Sequence, residues 1–408
     1  MAPYEDVSLE GHIIDSLTLP RVLDDILSLG GEYEIVEMQV GHGKNDPSAA
    51  QIRVTASDEQ GLEAILAAIN RHGAQPVEPE DARLEPAPAD GVFPPDFYST
   101  TNLETYVRLR GRWIPVEHPE MDCGVAVDMD SASARTVAMV DVRRGESVVV
   151  GRRGLRVIPL AKPRGGSTFE FMTSTVSSEK PKTLVIGEVA GLMRSVRDSG
   201  RRILAVAGPA IVHTGSSAAF VRLIRGGWID VVFGGNAIAA HDVEAAFFGT
   251  SLGVSVTEGV PVHGGHEHHL RAINRIRAAG GIQAAVDDGT LTSGIFAEMV
   301  RAGVPFILAG SVRDDGPLPE VITDVIEAQR AMRARLEGVG LCLMLSTMLH
   351  SIATGNLLPA SVHTVCVDIN PAVVTKLADR GSFQAIGVVT DVGLFLDELA
   401  DQLGAPPA

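Results

Sequence analysis

Cysteine is scarce. Three occur in 408 residues, Cys123, Cys342 and Cys366, far apart and never as a CxxC pair. That spacing excludes a disulfide framework and a thiolate zinc site. Two of the three lie in apolar runs, LCLML and TVCVDI, where a small buried thiol is the plain reading. Aromatic residues make up only 4% of the chain. The apolar mass is therefore Ala, Val, Ile and Leu, which suits an α/β core whose parallel strands are buried on both faces. No apolar run reaches the ~20 residues needed to cross a bilayer. No basic segment followed by an apolar one opens the chain, so a secretory signal is not expected and a cytoplasmic location is. Blocks of basic residues are missing too, and the formal net charge is −17. A surface of that sign repels phosphate backbones, so nucleic acid is not an expected partner. Finally, no complete G-x-G-x-x-G occurs, which removes the simplest dinucleotide fingerprint.

What is present has the length for two or three domains. Residues 1–80 alternate in type. LEGHIID reads as a strand, and Leu19 to Leu29 as a helix stopped by Gly30-Gly31. YEIVEMQVG and AAQIRVTAS read as half-buried strands joined by the turn residues of HGKNDPSA. DEQGLEAILAAINRHG reads as a helix with Asp58 at its N-cap and Gly73 past its end, and AQPVEP as a last strand. The order βαββαβ predicts a split-βαβ, ferredoxin-like domain. Residues 81–97, rich in proline and acid, read as a connector. Residues 98–177 hold short strand-like runs and predict a small β-rich domain, barrel-like in outline. From 178 to 408, helices alternate with continuous apolar strands, the signature of a doubly wound, Rossmann-like parallel sheet.

Ligands of such sheets bind beyond the carboxyl ends of the strands. The residues there are AGPAIVHTG, GGNAIAAHD, AGSVRDDG, STMLHSIATGN, VDINP and VVTDVG. Asp368 ends one apolar strand, where a carboxylate can accept hydrogen bonds from ribose hydroxyls. No arginine follows it, which favours NAD over NADP. About twenty residues earlier a different strand runs into LSTMLHSIATGN, the spacing of a phosphate turn ahead of its acid. Asp391 ends a further strand. Each acid has a bland alternative as a turn or helix-cap aspartate. Gly234-Gly235 lets a backbone approach a ligand closely, and Asn236 can donate and accept together, although a plain Gly-Gly-Asn turn reads the same way.

These stretches, with GGHEHHLRAINRIRAAGG and the amino-terminal GHIIDSLTLPRVLDDILSLGGEYEI, resemble the archaeal-type ornithine cyclodeaminases over nearly the whole chain. The amino-terminal segment is similar to the lysine-oxoglutarate reductase/saccharopine dehydrogenase conserved region. Some relatives carry an arginine-hydrolysing domain in front, and none is expected here. The resemblance implies conversion of L-ornithine to L-proline and ammonia with tightly held NAD. It implies cofactor contacts at Asn236, Ala237, the Asp314-Asp315 pair, Thr347, Met348, Leu349, His350, Asp368, Asp391 and Val392.

That chemistry poses further requirements. A cation should clamp the substrate carboxylate, with Arg110, Arg112 and Arg313 as candidates. An acid should hold an ammonium, with Glu258, Asp242 and Asp314 as candidates. A proton carrier should titrate near neutrality, which suggests His213 and His241. Each has an ordinary structural reading as surface charge, cap or core hydrogen-bond partner, and Cys123 reads as a candidate or as a plain buried thiol. The cluster His263, His266, His268 and His269 has no cysteine or second cluster near it in sequence, one helix face could present two of the four at most, and the implied chemistry needs no Lewis acid, so no metal is expected and a site-lining or interface loop is the preferred reading over a purely structural one. A homo-oligomer is expected. The competing readings are an NAD-dependent amino-acid oxidoreductase of the saccharopine or lysine-reductase type and a non-catalytic NAD- or amino-acid-sensing module.

Overall fold

The computed structural model describes residues 2–14, 17–41, 46–70, 72–77, 80–158, 182–263, 265–314, 316–373 and 385–407. The chain divides into two compact units, Met1–Glu170 with Asn356–Ala360, and Phe171–Gly355 with Ser361–Ala408.

The first unit opens with β1 (Tyr4–Gly11), α1 (Thr18–Ser28), β2 (Glu32–Gln39), β3 (Ser48–Thr55), α2 (Glu59–Asn70) and β4 (Gln75–Pro76). The sheet order β2-β3-β1-β4, with every pairing antiparallel, is the split-βαβ arrangement. Leu19, Val22 and Ile26 of α1 and Leu62, Ile65 and Ile69 of α2 recur at helical spacing and are buried. They pack with Val7, Leu9, Ile52 and Val54 of the central strands. Each such side chain contributes about 2 kcal/mol by leaving water. Asp58 caps α2, its Oδ1 accepting from Gly61 N at 2.7 Å. Two expectations are corrected. The first strand starts at Tyr4 and stops at Gly11, ahead of His12 and Ile13, because its pairing with β3 runs from Tyr4↔Thr55 to Gly11↔Ser48. And β2 is not half-buried: all its residues are exposed, since it is the sheet edge and its pairing register shifts between Ile35 and Glu37.

The same unit continues with β5 (Arg83–Pro86), β6 (Glu104–Leu109), β7 (Arg112–Glu117), β8 (Gly124–Asp128), β9 (Ser133–Val137), β10 (Ser147–Val150) and β11 (Leu155–Ile158). They form one sheet in the order β11-β6-β7-β9-β8-β10-β5. Among the described residues its two ends do not pair, so the barrel outline is not closed. β5 lies inside the stretch read as a connector. It pairs antiparallel with β10 from Arg83↔Val150 to Pro86↔Ser147. Pro86 is tolerated because it is the last residue of an edge strand. The β-rich reading of residues 159–177 and the first residues of the helix expected from 178 lie outside the described residues.

The second unit holds α3 (Lys182–Asp198), β12 (Arg202–Ala207), α4 (Ala210–His213), α5 (Ser217–Arg225), β13 (Val231–Gly235), α6 (Asn236–Phe248), β14 (Thr250–Ser251), β15 (Val254–Ser255), α7 (His268–Ala279), α8 (Ile282–Asp287) and α9 (Ile295–Ala302). It ends with β16 (Phe306–Ala309), β17 (Val321–Ile322), α10 (Val325–Arg333), β18 (Val339–Leu345), α11 (Met348–Leu357), β19 (His363–Asp368), β20 (Ala385–Val389) and α12 (Val392–Gln402). The parallel sheet runs β17-β16-β13-β12-β18-β19-β20. Every residue of β18 is buried, as a strand covered on both faces requires. The chain moves outward from β12 to β13 and β16, then returns to β18 and moves outward the other way. The switch point lies between β12 and β18, and a doubly wound sheet takes its ligand beyond the carboxyl ends there.

Candidate functional site at the carboxyl ends of the parallel sheet

At the switch point two turns touch. Gly208, just after β12, donates its N–H to the Leu345 carbonyl of β18 at 2.9 Å. A Cβ at Gly208 would collide with the carbonyl oxygen of Ser346. Ser346 adopts a left-handed φ of 48° and donates its N–H to Val367 O of β19 at 2.9 Å. Backbone alone fills this crossing.

One strand further out, β13 ends in Gly234 and Gly235, and α6 begins directly at Asn236 rather than after a turn. A Cβ at Gly235 would stand 2.8 Å from His350 Cε1, so that ring lies on the glycine backbone. His350 belongs to the first turn of α11; burial pushes its imidazole down, with Asp314 opposing. Asn236 is buried, and its Oδ1 accepts from Leu318 N at 3.1 Å. Asp314, on the turn after β16, accepts from Ser311 N at 2.8 Å and Ser311 Oγ at 3.3 Å. Asp315 lies outside the described residues. Thr347 Oγ1 is 3.5 Å from His350 Nδ1, while Met348 and Leu349 are exposed. Ala237 is exposed as well. Asp368 ends β19 half-buried, with Oδ1 accepting from Asn370 N at 2.8 Å. Asp391 caps α12, its Oδ1 accepting from Gly393 N and Leu394 N, and Val392 beside it is buried. Ser216, at the start of α5, stands against Gly393, where a Cβ would strike its hydroxyl; it sits at the N-cap position without a side-chain cap bond.

Glycines where a side chain would collide, two long helices starting at strand ends, and an acid at the end of β19 fit a dinucleotide. Pyrophosphate needs close backbone and helix N-termini, and ribose needs a carboxylate.

A second polar group lies close by in sequence, with His241, Glu244, Thr250 and Ser251 buried, His268 half-buried and His213 exposed. His213 ends α4, and His241 lies in the second turn of α6; their ring centroids are 4.7 Å apart. His241 Nδ1 is 3.0 Å from Glu244 Oε2. Glu244 is fully buried and also accepts from Thr250 Oγ1 at 2.9 Å, Leu252 N at 3.1 Å and Gly253 N at 2.9 Å. Burial alone pushes the Glu244 carboxyl up, but the bonds from His241, Gly253 and Thr250 outweigh it and hold the group below its ordinary range. Thr250 Oγ1 is also 2.8 Å from His268 Nδ1, and the His268 ring stacks on Phe248 at 4.6 Å. His213 Nδ1 lies 2.6 Å from Ser251 Oγ. Burial, with His241 adding to it, pushes His213 down.

The structure thus joins His213 and His241 and adds Glu244 and His268. Three expectations need correction. Asp242 is fully buried and points the other way, accepting from Ile295 N at 2.9 Å and Phe296 N at 3.0 Å. It caps the start of α9, so neither oxygen is offered to a substrate ammonium. Glu258 sits exposed on the turn after β15, its own N–H donated to Ser255 Oγ. The four histidines do not act as one loop: His268 enters the network, whereas His266 is exposed beside Glu267. Among the described residues no group of three or more His, Cys, Asp or Glu side chains is arranged to hold a metal ion. Arg313 is exposed on the turn after β16. Arg110 and Arg112 flank the β6–β7 hairpin of the first unit, and Cys123 is buried there. Sequence reading missed Glu244, although its spacing of three from His241 on one helix was the available signal.

The strand order, with its switch point between β12 and β18, defines a Rossmann-type fold. Comparison with known proteins narrows the class. Residues 187–399 match the model described as arginine dihydrolase ArgZ-like, C-terminal, Rossmann fold. Residues 4–103 match the LOR/SDH bifunctional enzyme conserved region, and 104–186 match the ArgZ-like C-terminal first region. The chain is 52% identical over 404 residues to an ornithine cyclodeaminase of Methanocaldococcus jannaschii, covering 98% of this chain and 96% of that relative. The apo structure of the cyanobacterial arginine dihydrolase ArgZ superposes with a TM-score of 0.86 at 39% identity, covering 98% of this chain and 58% of that one. The ternary complex of AgrE with ornithine and NAD+ has a TM-score of 0.54 at 44% identity, covering 99% of this chain and 58% of that one. The chain belongs to the LOR/SDH-region and ArgZ-like carboxy-terminal family that contains the archaeal ornithine cyclodeaminases.

Proposed function

We propose that this protein is an NAD-dependent ornithine cyclodeaminase, which converts L-ornithine to L-proline and ammonia. The observation that carries the reading is the meeting of two features on consecutive turns of one sheet end. Close-packed glycine turns and the start of α6 stand at the carboxyl ends of β12, β13 and β18, beside the switch point of the sheet. Beside them lies a histidine–glutamate cluster of the kind that moves protons, with His241 and Glu244 buried on α6 and His213 exposed at the end of α4. The full-length likeness to an archaeal ornithine cyclodeaminase and the likeness to AgrE, solved with ornithine and NAD+, support the same reading.

Bound NAD would accept a hydride from the substrate Cα and return it, so the net reaction needs no external oxidant. The residues at these strand ends hold it. Asn236 and Ala237 lie at the start of α6, Asp314 at the end of β16, and Thr347, Met348, Leu349 and His350 where β18 enters α11. Asp368 takes ribose hydroxyls, and Asp391 with Val392 forms the turn after β20. Arg313 brings a cation to the same sheet end for the substrate carboxylate. Closing the ring requires an uncharged δ-amine, and departure of the α-nitrogen as ammonia requires proton delivery. His241, with Glu244 behind it, is the group that takes up and returns protons, and His213 stays neutral beside it.

The test is a turnover assay with the nucleotide monitored. Purified protein, supplied with NAD+ and L-ornithine, should form proline and ammonia in equal amounts with no net reduced nicotinamide. Accumulation of reduced nicotinamide in step with substrate would indicate a net oxidoreductase. Tight nucleotide binding without turnover of ornithine, lysine or arginine would indicate a sensing module.

A further inference from the structure

Thr250 carries one hydroxyl proton and gives it to Glu244 Oε1. The 2.8 Å contact between Thr250 Oγ1 and His268 Nδ1 must then be donated by the histidine. The same logic holds for His241. Its Nδ1 faces Glu244 Oε2 at 3.0 Å, and an ionised carboxylate can only accept. One buried carboxylate therefore dictates where the proton sits on two imidazoles from different helices.

We propose that Glu244 is a positioning residue that fixes His241 and His268 as Nδ1–H tautomers, so that each presents a bare Nε2 as proton acceptor to the reaction. This rests on the reading of the site given above and deepens it. Four donors surround the carboxylate, two on each oxygen: His241 and Leu252 N on Oε2, Thr250 and Gly253 N on Oε1. Two of the four are backbone N–H groups, so the carboxylate is locked by elements that do not rotate. The groups facing the cluster are His213 from α4, Thr250 and Ser251 from β14, and His268 from α7. Arg275 of α7 stacks instead over Phe247, and Asp242 is turned to α9. His213 borders His241 with its Nδ1 on the Ser251 hydroxyl, so a proton taken by His241 has an imidazole and a hydroxyl within reach.

A glutamine at position 244 is a poor probe. Its amide NH2 must turn toward one oxygen's donors, and each of those pairs includes a backbone N–H that cannot accept. The better variants are Glu244→Asp, which keeps the charge and withdraws it by one methylene, and Thr250→Val, which removes the bridge to His268 and one of the four donors on Glu244 but leaves the His241 contact in place. The first measurement is made on the wild-type, nucleotide-loaded protein with ¹⁵N-labelled histidine, signals being assigned by single His241→Asn and His268→Asn changes. Both rings should be neutral and protonated at Nδ1. A wild-type ring protonated at Nε2 overturns the proposal, whether or not ornithine is turned over, so this result stands apart from the turnover assay. Glu244→Asp should lower kcat about 100-fold. It should also shift the acid limb of the pH profile, with a much smaller change in KM and unchanged bound nucleotide. Thr250→Val should release the His268 tautomer and leave that of His241 intact. Wild-type kcat and pH profile in a folded Glu244→Asp protein, or an unmoved His268 signal in Thr250→Val, would contradict it. Should Glu244→Asp fail to fold, the wild-type tautomers and Thr250→Val still decide.

Discussion

His350 lies on the backbone of Gly235, its Cε1 standing 2.8 Å from the place a Cβ would occupy. The end of β13 and the first turn of α11 thereby fix each other. Gly235→Ala should push the ring away, disturb Thr347 beside it and weaken nucleotide binding at least 10-fold, at a stability cost of about 1–3 kcal/mol. Gly191 is the control: it lies within α3 and a Cβ there meets nothing within 4 Å. Gly191→Ala should stabilise by about 0.5–1 kcal/mol and leave binding unchanged. Isothermal titration with NAD+ and urea unfolding of both variants check the pair; equal affinity in the two would show that the glycine contact does not shape the nucleotide site.

Asp242 should give the protein a distinctive pH dependence. Burial raises its carboxyl from the ordinary 3.8 to about 6, against the pull of the Phe296 and Ile295 N–H groups. A folded value above the unfolded one means that the stabilising contribution is full below about pH 4 and disappears as pH rises through about 6. The span of about two units corresponds to a contribution on the order of 3 kcal/mol. Urea unfolding between pH 4 and 7 should show this falling term on top of the rest, and Asp242→Asn should lack it. Glu244 acts in the opposite sense, since its folded value is lowered and its contribution is lost as pH falls through that value. A wild-type curve identical in shape to that of Asp242→Asn would show that Asp242 does not titrate in this window.

Most of the fold was legible because periodicity survives burial. Leu62, Ile65 and Ile69 mark a helix, and the unbroken apolar run of β18 marks a strand covered on both faces. The place of the candidate site was legible in the same way, because the carboxyl ends of parallel strands can be read once the strands are. What escaped lay where local chemistry is ambiguous. β5 looked like a linker since its proline and acids tolerate an edge strand as well as a coil. β2 alternates in sequence yet is exposed throughout, because alternation does not reveal that a strand is an edge. Asp242 and Glu244 stand two apart on one helix, and sequence could not say which would cap α9 and which would face the histidines. That choice is made by α9 and β14, elements distant in the order of pairing.

Asp368 should determine which nucleotide is accepted. It ends β19 with Oδ1 engaged by Asn370 N at 2.8 Å, and the residue that follows is an exposed isoleucine rather than an arginine. A carboxylate there accepts from ribose hydroxyls and repels a 2′-phosphate. Asp368→Ala should weaken NAD+ binding by about 1.5–3 kcal/mol, the value of a charge-assisted hydrogen bond. It should lift the relative affinity for NADP+ by 10-fold or more. Competitive titration of the two nucleotides reads both numbers, and an unchanged ratio would remove Asp368 from the ribose site.

Asp391 separates a capping role from a binding role. Its Oδ1 accepts from Gly393 N at 2.9 Å and Leu394 N at 3.1 Å at the start of α12. Asp324 does the same for α10, accepting from Ile326 N at 2.8 Å and Glu327 N at 3.1 Å. The two caps have matching geometry, so Asp391→Ala and Asp324→Ala should each cost about 0.5–2 kcal/mol of stability. Only Asp391 follows the last strand of the sheet, where α12 meets Ser216 at Gly393. Fraying that turn should therefore lower nucleotide affinity in Asp391→Ala and leave it unchanged in Asp324→Ala. Equal affinities in two equally destabilised proteins would mean that Asp391 serves its helix alone, and that the dinucleotide is held by the turns after β13, β18 and β19 without it.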